Sequence, residues 1–462
     1  MSETNKNNLD EQARLQSIYA ENPELASVSE LTFDYEHFKQ IGIEYDLKPL
    51  GPGWLKYMES DFIVEEIDLE GKLNSVNAGD SIQANDSIGN ITEAKLVKKS
   101  LSSIEACEAI AAALSIPVEE IGYAGIKDKK AITAQTIMIK RDVADQLASL
   151  KLDGILLSSF KKRTTPLLEG QLQGNEFAIL VRAEKSATEA ILDKTRSIAK
   201  GGFYNFYSFQ RFGTRLRTHI VGELILKAKY REAVEEILFS LSDYETVHIQ
   251  NIREEAKKLY SDLEKCKEVF SEFSNYFMFE ITLLETLQKM PEKYVLALKA
   301  IKSQTRIAVY AYFSYWYNLV LSKKIAEGDV PEKLPLLSNH EESKELYKKY
   351  IPKEEFEQFV LDQPYIEFIN WNKVLYIETT IKPKINKIVE CDAGYLFDFT
   401  LGKGAYATTF LANYFNLHQQ NKLPDSISTQ KIDTLKALGK GSVLDVEGKL
   451  GNIQTDQSTA AW

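Results

Sequence analysis

Apolar and polar positions alternate over several short stretches in the first half of the chain. Residues 61–67 read DFIVEEI behind a Gly-Pro-Gly turn, and this pattern predicts a strand. The apolar runs AITAQTIMIK, GILLSSF and NEFAILVR, the last at residues 175–182, are typical of buried strands. Apolar residues recur at helical spacing from Ile104 to Leu114 behind a serine cap, and Pro117 follows them, so we expect a helix there. This half of the chain is therefore predicted to be α/β.

From about Leu216 the pattern changes to long apolar helical faces laced with charge, as in YREAVEEILFSL and TRIAVYAYFSYWYNLVL. Strand signals return at NKVLYIETTI, and GYLFDFTLGKGAYATTFLANYFNL predicts a strand, a glycine-rich turn and a final helix. Residues 1–45 predict an N-terminal helical extension, and residues 418–462 predict a polar, loosely attached C-terminal tail. The chain thus divides into an α/β part interrupted by a mostly helical part.

Composition narrows the class of protein. The 462 residues are 44% hydrophobic, which is enough apolar surface for more than one core. No apolar run has membrane-spanning length, and residues 1–15 lack the apolar core expected of a signal peptide. We expect a soluble, cytoplasmic protein. Its three cysteines (Cys107, Cys266 and Cys391) lie far apart, so we expect buried thiols and neither disulfides nor a zinc cluster. The five histidines form no i, i+4 pair, and no metal or cofactor motif is present.

The block GYAGIKDKKAITAQ, residues 122–135, carries the first candidate chemistry. Asp128 ends a glycine-containing turn and is flanked by Lys127, Lys129 and Lys130. Such cationic neighbours lower the pKa of a carboxyl group and keep it ionised, which suits a nucleophile or an electrostatic stabiliser. The alternative interpretation is a solvated turn with ordinary surface charges.

The block FYNFYSFQRFGTRLR, residues 203–217, interleaves aromatic rings with Asn205, Gln210 and Arg211. Rings can stack on an unstacked base, amides can bind its Watson–Crick edge, and arginine can bind phosphate. The alternative is a strand and loop whose rings belong to the core. The formal net charge of −11 argues mildly against nonspecific polyanion binding, so an RNA site would require a locally basic cleft.

These blocks resemble the signature of the pseudouridine synthase D (TruD) family of tRNA-modifying enzymes. The first block resembles the family pattern GYAGxKDxxAxTxQ, and further matches follow the family's order along the chain. They are K-x(4)-DFxVxE at Lys56, Asp61, Phe62, Val64 and Glu66; GxxxGNxF at Gly170, Gly174, Asn175 and Phe177; NxFxxQRFG in part; and GxYATxxL at Gly404, Tyr406, Ala407, Thr408 and Leu411. The resemblance is thin through residues 216–390.

The resemblance implies an α/β (α+β) fold. A catalytic domain with a mixed, mostly antiparallel sheet would occupy residues 46–216 and 391–417, and a largely helical domain would be inserted at residues 217–390. It also implies that Asp128 is the catalytic group. The substrate-binding residues expected with it are Lys56, Phe62, Lys127, Asn205, Tyr207, Gln210 and Arg211.

The sequence departs from the family motifs at three positions. Tyr207 replaces the usual Phe and keeps a ring for stacking, while Ser208 replaces a Gly. Ser60 stands where an acidic residue is common, with Glu59 displaced by one. We expect these changes to affect the base pocket more than the chemistry.

The implied reaction converts a specific uridine of tRNA, position 13 in the family, to pseudouridine without a cofactor. Asp128 would either attack the anomeric carbon or remove a ribose proton, with the nucleotide extruded from its stack. RNA is the expected partner, and we expect a monomer with no obligate protein partner and no membrane attachment. Two alternatives remain: a noncatalytic RNA-binding module on the same scaffold, and a hydrolase that cleaves glycosidic bonds with a carboxylate pair.

Overall fold

The structure is a computed structural model that describes residues 3–77, 89–364, 366–419 and 423–451. The helices are α1 (Glu3–Glu21), α2 (Tyr35–Lys39), α3 (Ser103–Leu114), α4 (Ala144–Ser149), α5 (Thr188–Gly201), α6 (Thr218–Leu226), α7 (Tyr230–Phe239), α8 (Val247–Lys258), α9 (Leu263–Ser271), α10 (Met278–Lys289), α11 (Tyr294–Ala300), α12 (Lys302–Glu327), α13 (Glu341–Tyr347), α14 (Lys353–Phe356), α15 (Ala407–Leu411), α16 (Thr434–Leu438) and α17 (Val443–Leu450). The strands are β1 (Pro52–Trp54), β2 (Phe62–Ile67), β3 (Ile91–Lys99), β4 (Ile121–Tyr123), β5 (Ile132–Ile139), β6 (Ile155–Arg163), β7 (Gly174–Arg182), β8 (Phe203–Tyr204), β9 (Lys333–Pro335), β10 (Tyr376–Glu378), β11 (Thr380–Ile381), β12 (Lys384–Cys391), β13 (Gly394–Gly402) and β14 (Asn416–His418).

Residues 48–203 and 381–462, as far as they are described, form a compact unit that we call unit 1. Its sheet has the order β12-β13-β7-β2-β5-β3-β6, and β1, β4 and β14 pair at its margins. Among the described strands of this sheet, β2 runs parallel to β5 and β1 parallel to β14, while the other pairs are antiparallel. The expected α/β fold with a mixed, mostly antiparallel sheet is confirmed.

One face of this sheet packs against α3 and α4. The inward residues of β3 and β5, among them Leu96 and Ile137, form a core cluster with Ile110 of α3 and Leu147 of α4. Helix α3 begins where expected because the Ser102 hydroxyl accepts the Glu105 backbone N–H, and the Glu105 side chain accepts the Ser102 N–H. Helices α3 and α4 therefore bury one face of β3 and β5, and β5 begins within the block GYAGIKDKKAITAQ.

The opposite face of the sheet is covered by the C-terminal segment, which corrects the expectation of a loosely attached tail. Leu435, Val443 and Leu450 are buried in one cluster with Val97 and Ile132 of the sheet. Apolar residues recur at helical spacing within this otherwise polar segment, so its average composition concealed two short helices, α16 and α17. The segment expected to end in a final helix, residues 394–417, instead continues into β14. Residues 420–422 and 452–462 of the predicted tail lie outside the described residues.

Residues 3–47 and 204–380 form the second compact unit, unit 2, which is mainly helical. Its central helix is the 26-residue α12, and α6 packs closely on it: a Cβ on Gly222 would lie 2.0 Å from the Ala308 carbonyl oxygen. The expected N-terminal helix is present as α1, and Phe33 and Phe38 from the segment behind it are buried against Phe209. The N-terminal segment is therefore part of the core of unit 2.

The boundaries between the two units lie at residues 203/204 and 380/381, whereas the sequence pattern placed the inserted domain at residues 217–390. The loop at residues 204–217 has no helical periodicity, and β12 contains Lys384 and Lys387, which weakened its strand signal. The assignment of a catalytic and an inserted domain stays a prediction.

Charge is unequal between the units. Counted on the sequence, residues 48–203 and 381–462 carry 29 Lys and Arg against 30 Asp and Glu, while residues 3–47 and 204–380 carry 27 against 37. Nearly all of the net charge of −11 therefore falls on unit 2, and unit 1 is close to neutral.

Cys107 and Cys266 are buried, as expected, and burial raises the pKa of each thiol to about 12. Cys391 is half-buried, which differs from the expectation that all three would be buried. None of the helices in the described ranges combines the length and the apolar character that a membrane span needs.

Candidate active site

Asp128 and Lys56 form an ion pair in unit 1. Asp128 lies in the loop between β4 and β5, and Lys56 lies in the loop between β1 and β2. The Lys56 Nζ donates to Asp128 Oδ1 over 2.5 Å, and the Lys56 side chain is 13% exposed while that of Asp128 is 40% exposed. Lys56 has a φ of 54°, a left-handed backbone conformation. Residues other than glycine adopt it mainly at constrained, often functional, positions. The carboxylate is thus open to a ligand while its cation is covered.

Phe62 lies beneath this pair. The Lys56 Nζ is 4.5 Å from the centroid of the Phe62 ring, a cation–π distance, and the Phe62 residue is 2% exposed. The structure therefore places Phe62 where it supports Lys56 and not on an open surface. Its expected contact with substrate is untested.

A second cation, Lys98 of β3, approaches the backbone of Asp128. Lys98 is fully buried, and its Nζ lies 2.8 Å from the Asp128 carbonyl oxygen and 2.5 Å from the Leu101 carbonyl oxygen. Burial lowers the pKa of Lys98 to about 7, against the opposing effect of the Asp128 and Glu105 charges. The sequence reasoning did not identify this residue.

Two of the lysines that flank Asp128 in the sequence, Lys127 and Lys129, pair with other carboxylates. The Lys127 Nζ donates to Glu66 Oε2 over 2.6 Å in a buried pair, and the Lys129 Nζ donates to Glu105 Oε1 over 2.7 Å. Successive residues of a loop point to different sides, so Lys127 and Lys129 do not form the collar that was expected around the carboxylate. Lys127 is 5% exposed, which leaves little of it for the substrate contact expected of it.

The ionisation of Asp128 is set by these surroundings. Burial by itself raises the pKa of this carboxyl group, but the charge and hydrogen bond of Lys56 and the charge of Lys98 outweigh it. The net effect lowers the pKa of Asp128 below its ordinary value of 3.8. The carboxylate is therefore ionised at neutral pH, as the sequence predicted, but through cations from other elements.

The loop that carries Asp128 is fixed by buried hydrogen bonds to Gln135 of the same block and to Ser103 of α3. The Gln135 side-chain amide donates to the Gly125 carbonyl oxygen over 3.0 Å, and the Lys127 N–H donates to Ser103 Oγ over 2.8 Å. The Ser103 hydroxyl in turn donates to Gln135 Oε1 over 2.6 Å. Because Ser103 and Gln135 are fully buried, these bonds hold the turn against α3 and β5.

The loop that carries Lys56 is anchored by a buried ion pair. The Arg182 Nε donates to Asp61 Oδ2 over 2.7 Å, and both side chains are fully buried. The Arg182 guanidinium also donates to the Ser428 carbonyl oxygen over 2.5 Å and lies 4.9 Å from the Tyr57 ring centroid. Since Asp61 accepts the Met58 N–H, the pair ties the Lys56 loop to β7 and to the C-terminal segment. Asp61 and Glu66 of the DFxVxE match thus stabilise the site.

A sequence signal for Lys98 existed but was not used. Ala94, Leu96 and Lys98 occupy alternate positions of β3, and the first two are fully buried on the face that α3 covers. A lysine that continues a buried face requires polar partners inside the protein. Arg182 at the end of the apolar run NEFAILVR carries the same signal.

Asn205, Tyr207, Gln210 and Arg211 belong to unit 2. Asn205 is 8% exposed, and its side-chain amide donates to the Glu378 carbonyl oxygen over 2.9 Å. Tyr207 is 9% exposed, with the Arg211 guanidinium 5.2 Å from its ring centroid and Tyr317 in edge contact. Gln210 is exposed. The structure thus favours packing roles for Asn205 and Tyr207, and the expected nucleotide contacts of all four residues remain predictions.

The two serines that depart from the family pattern are both buried. Ser60 and Ser208 are each 1% exposed, and neither hydroxyl has a hydrogen-bond partner among the described residues. The described ranges also contain no group of three or more His, Cys, Asp or Glu side chains arranged to hold a metal ion.

Comparison with known proteins identifies the family of this chain. A family model described as tRNA pseudouridine synthase D (TruD) matches residues 45–344, which is well over half of the chain. That match places the chain in a class of isomerases, the tRNA pseudouridine synthases. The chain belongs to the TruD family, and the expected family and enzyme class are confirmed.

Two curated relatives and one solved structure illustrate the similarity. The chain is 32% identical over 279 residues to a probable tRNA pseudouridine synthase D of Pyrococcus abyssi, covering 60% of this chain and 63% of that protein. It is 27% identical over 381 residues to a probable tRNA pseudouridine synthase D 1 of Methanocaldococcus jannaschii, covering 78% and 95%. A crystal structure of a putative tRNA pseudouridine synthase D from Methanosarcina mazei matches with a TM-score of 0.60 at 24% identity, covering 82% of this chain and 98% of that chain. This last likeness supports the fold.

Proposed function

We propose that this protein converts a uridine of tRNA to pseudouridine, with Asp128 as the catalytic group. The observation that carries the proposal is the ion pair between Asp128 and Lys56, whose carboxylate is 40% exposed and ionised beside a covered cation. Both residues stand at positions that match the family motifs. Family membership supports tRNA as the substrate. Position 13, which the family implies, is part of the proposal.

The reaction is an isomerisation whose atoms balance within the substrate. The bond between uracil N1 and ribose C1′ breaks, the base turns, and a bond forms between C5 and C1′. The proton on C5 is lost and N1 takes up a proton, so no oxidant, reductant or group acceptor is needed.

An ionised Asp128 can assist this reaction in two ways. It can attack C1′ and form an ester that the turned base later displaces, or it can take the proton from C2′ as uracil departs and return it to C2′ when C5 bonds to C1′. Both routes need the carboxylate unprotonated and within reach of the ribose, so the lowered pKa and the exposure of Asp128 suit each of them.

Reaching the ribose requires that the target nucleotide leave its stack. We infer that exposed side chains of unit 2, such as Gln210, contribute to RNA binding, and that Arg211 contributes through its charge. Because unit 1 is nearly neutral and unit 2 is acidic, we place most of the phosphate contacts on unit 1, with Arg211 as an exception in unit 2.

Release of tritium from tRNA carrying uridine labelled at C5 tests the proposal, because only formation of the C5–C1′ bond expels that hydrogen. We expect release by the native protein and none by Asp128→Asn, which removes the charge with little change of volume. The affinity of Asp128→Asn for tRNA should stay within roughly tenfold of the native value. Asp142→Asn is the matched control, since Asp142 is an exposed carboxylate that pairs with Lys162.

Each alternative has its own outcome. A noncatalytic RNA-binding module would bind tRNA and release no tritium in any variant. A glycosidic hydrolase would liberate free uracil that still carries its tritium. Release by Asp128→Asn at the native rate would show that another residue is catalytic.

A further inference from the structure

Lys98 is a buried cation with an unusual set of partners. It lies near the end of β3, is fully buried, and its Nζ has backbone carbonyl oxygens of Leu101, Asp128 and Lys127 at 2.5, 2.8 and 3.5 Å. An ammonium group has three N–H donors, so each has one acceptor here. No ion pair joins Lys98 to a carboxylate of the described residues.

These acceptors come from two segments that must be held together. Leu101 lies just before α3, while Lys127 and Asp128 belong to the loop that presents the carboxylate. One ammonium group thus links the segment just before α3 to the backbone of Asp128 itself. Lys98 contacts the backbone carbonyl oxygen of Asp128, while the Asp128 carboxylate pairs with Lys56.

The groups around Lys98 act on its charged form in both directions. Asp128 and Glu105 favour its charged form, Lys127 and Lys56 oppose it, and burial opposes it most. Burying a lysine without a paired carboxylate is costly and is commonly found where the charge has a task. Here the charge of Lys98 helps to keep Asp128 ionised.

We propose that Lys98 is a positioning residue for the isomerisation, which fixes the backbone of Asp128 and adds a second positive charge beside its carboxylate. The inference rests on the proposed function. Lys98 does not touch the substrate in this role, because it is fully buried beneath the loop. It acts through Asp128.

Two consequences distinguish this role from a purely structural one. Without the hydrogen bonds from Lys98 to the backbone, the carboxylate of Asp128 loses its fixed position, and a displacement of about 1 Å costs roughly 100-fold in rate. Without the charge, Asp128 is held ionised by Lys56 alone, so its pKa rises and the acid limb of the rate profile moves to higher pH. Neither change requires weaker binding of tRNA.

The experiment compares Lys98→Met, which keeps volume but removes charge and donors, with Lys98→Arg, which keeps the charge. Single-turnover tritium release is measured with saturating tRNA from about pH 3 to 8.5, so that the acid limb of the native protein is included, together with tRNA affinity and thermal stability. The matched control is Lys95→Met, because Lys95 is a part-buried lysine of the same strand that donates to the Ser75 carbonyl oxygen on the opposite face. Lys98→Gln, which keeps a donor but no charge, is measured in the same way if Lys98→Met does not fold.

We expect Lys98→Met to lower the rate constant roughly 10- to 100-fold with tRNA affinity unchanged within about twofold. Its acid limb should lie at higher pH, and Lys98→Arg should return that limb to the native position. The proposal is overturned if a folded Lys98→Met or Lys98→Gln keeps the native rate, or if its rate falls only in step with its folded fraction while the acid limb stays in place. Failure of the native protein to release tritium would instead contradict the proposed function.

Discussion

The Lys56 Nζ donates to Asp128 Oδ1 over 2.5 Å although 72 residues separate the two in the sequence. Two loops, one before β2 and one before β5, bring them together because β2 and β5 are parallel neighbours and therefore begin at the same end of the sheet. The register of these two strands is thus the structural basis of the candidate site.

Removing the cation of this pair tests its contribution directly. Lys56→Met should lower single-turnover tritium release at least roughly tenfold, because the carboxylate loses the hydrogen bond that orients it. The same change should raise the pKa of Asp128, since Lys56 is the main group that lowers it against burial. Asp128 must be ionised to react, so the acid limb of the rate profile should move to higher pH. Lys140→Met at an exposed lysine is the control, and an unmoved acid limb would contradict the assignment.

The sequence predicted the members of this pair but not their surroundings. Asp128 was singled out from its own block, the resemblance to the family motifs added Lys56, and the strands that hold them were found from their apolar patterns. The prediction that flanking lysines surround the Asp128 carboxylate was wrong for Lys127 and Lys129, because their side chains pair with Glu66 and Glu105. Spacing along a chain does not specify which side of a loop each side chain faces.

Long-range packing was equally hard to predict. The C-terminal helices contain only a few apolar residues each, and their role becomes visible only when Leu435 and Val443 meet the sheet. The buried cations Lys98 and Arg182 depend on carbonyl oxygens and carboxylates that are distant in sequence. Such partners follow from the register of the strands, which composition does not encode.

Protonation of Lys98 should make stability depend on pH. Its pKa is lowered from 10.5 to about 7 by burial, so between those pH values the unfolded chain binds a proton that the folded protein does not. Stability should therefore rise with pH across this window. Lys98→Met should flatten this rise by up to about 1.4 kcal/mol per pH unit. Urea unfolding of both proteins at pH 7, 8 and 9 measures the difference, and parallel curves would show that Lys98 does not titrate there.

The buried pair Asp61–Arg182 should be necessary for the fold around Lys56. Arg182→Met leaves the Asp61 carboxylate buried without its partner, which we expect to cost about 3–5 kcal/mol in the free energy of unfolding. Adding Asp61→Asn should recover part of this loss, because the unpaired charge is then removed. Urea denaturation of the two single variants and the double variant gives the coupling. Additive losses would show that the two side chains do not depend on each other.

Removal of metal ions should leave the activity intact. The isomerisation balances without an external acceptor, and the proposed site consists of a carboxylate and two ammonium groups. Protein dialysed against a chelator should therefore release tritium at the native rate from tRNA that was folded beforehand. A rate that returns only after one particular metal is added back to the protein would disprove this prediction.

Tyr207 offers a test of whether the aromatic block of unit 2 binds a base or forms the core. Its ring is 9% exposed between Arg211 and Tyr317, and its backbone N–H donates to Asn318 Oδ1 over 2.9 Å, so we expect a packing role. Tyr207→Phe should then retain stability and activity. Tyr207→Ala should lose about 3–5 kcal/mol of stability, with activity falling in step with the folded fraction.

The other two roles of Tyr207 give different results in the same measurements. If the ring stacks on a base when tRNA binds, Tyr207→Ala should lose about 1–3 kcal/mol of transition-state stabilisation beyond any loss of folded protein, while Tyr207→Phe stays active. If the hydroxyl contacts the extruded nucleotide, Tyr207→Phe should be nearly as slow as Tyr207→Ala at unchanged thermal stability. Single-turnover rates and melting temperatures of both variants therefore separate the three roles, and a slow but fully stable Tyr207→Phe would contradict the packing role that the structure favours.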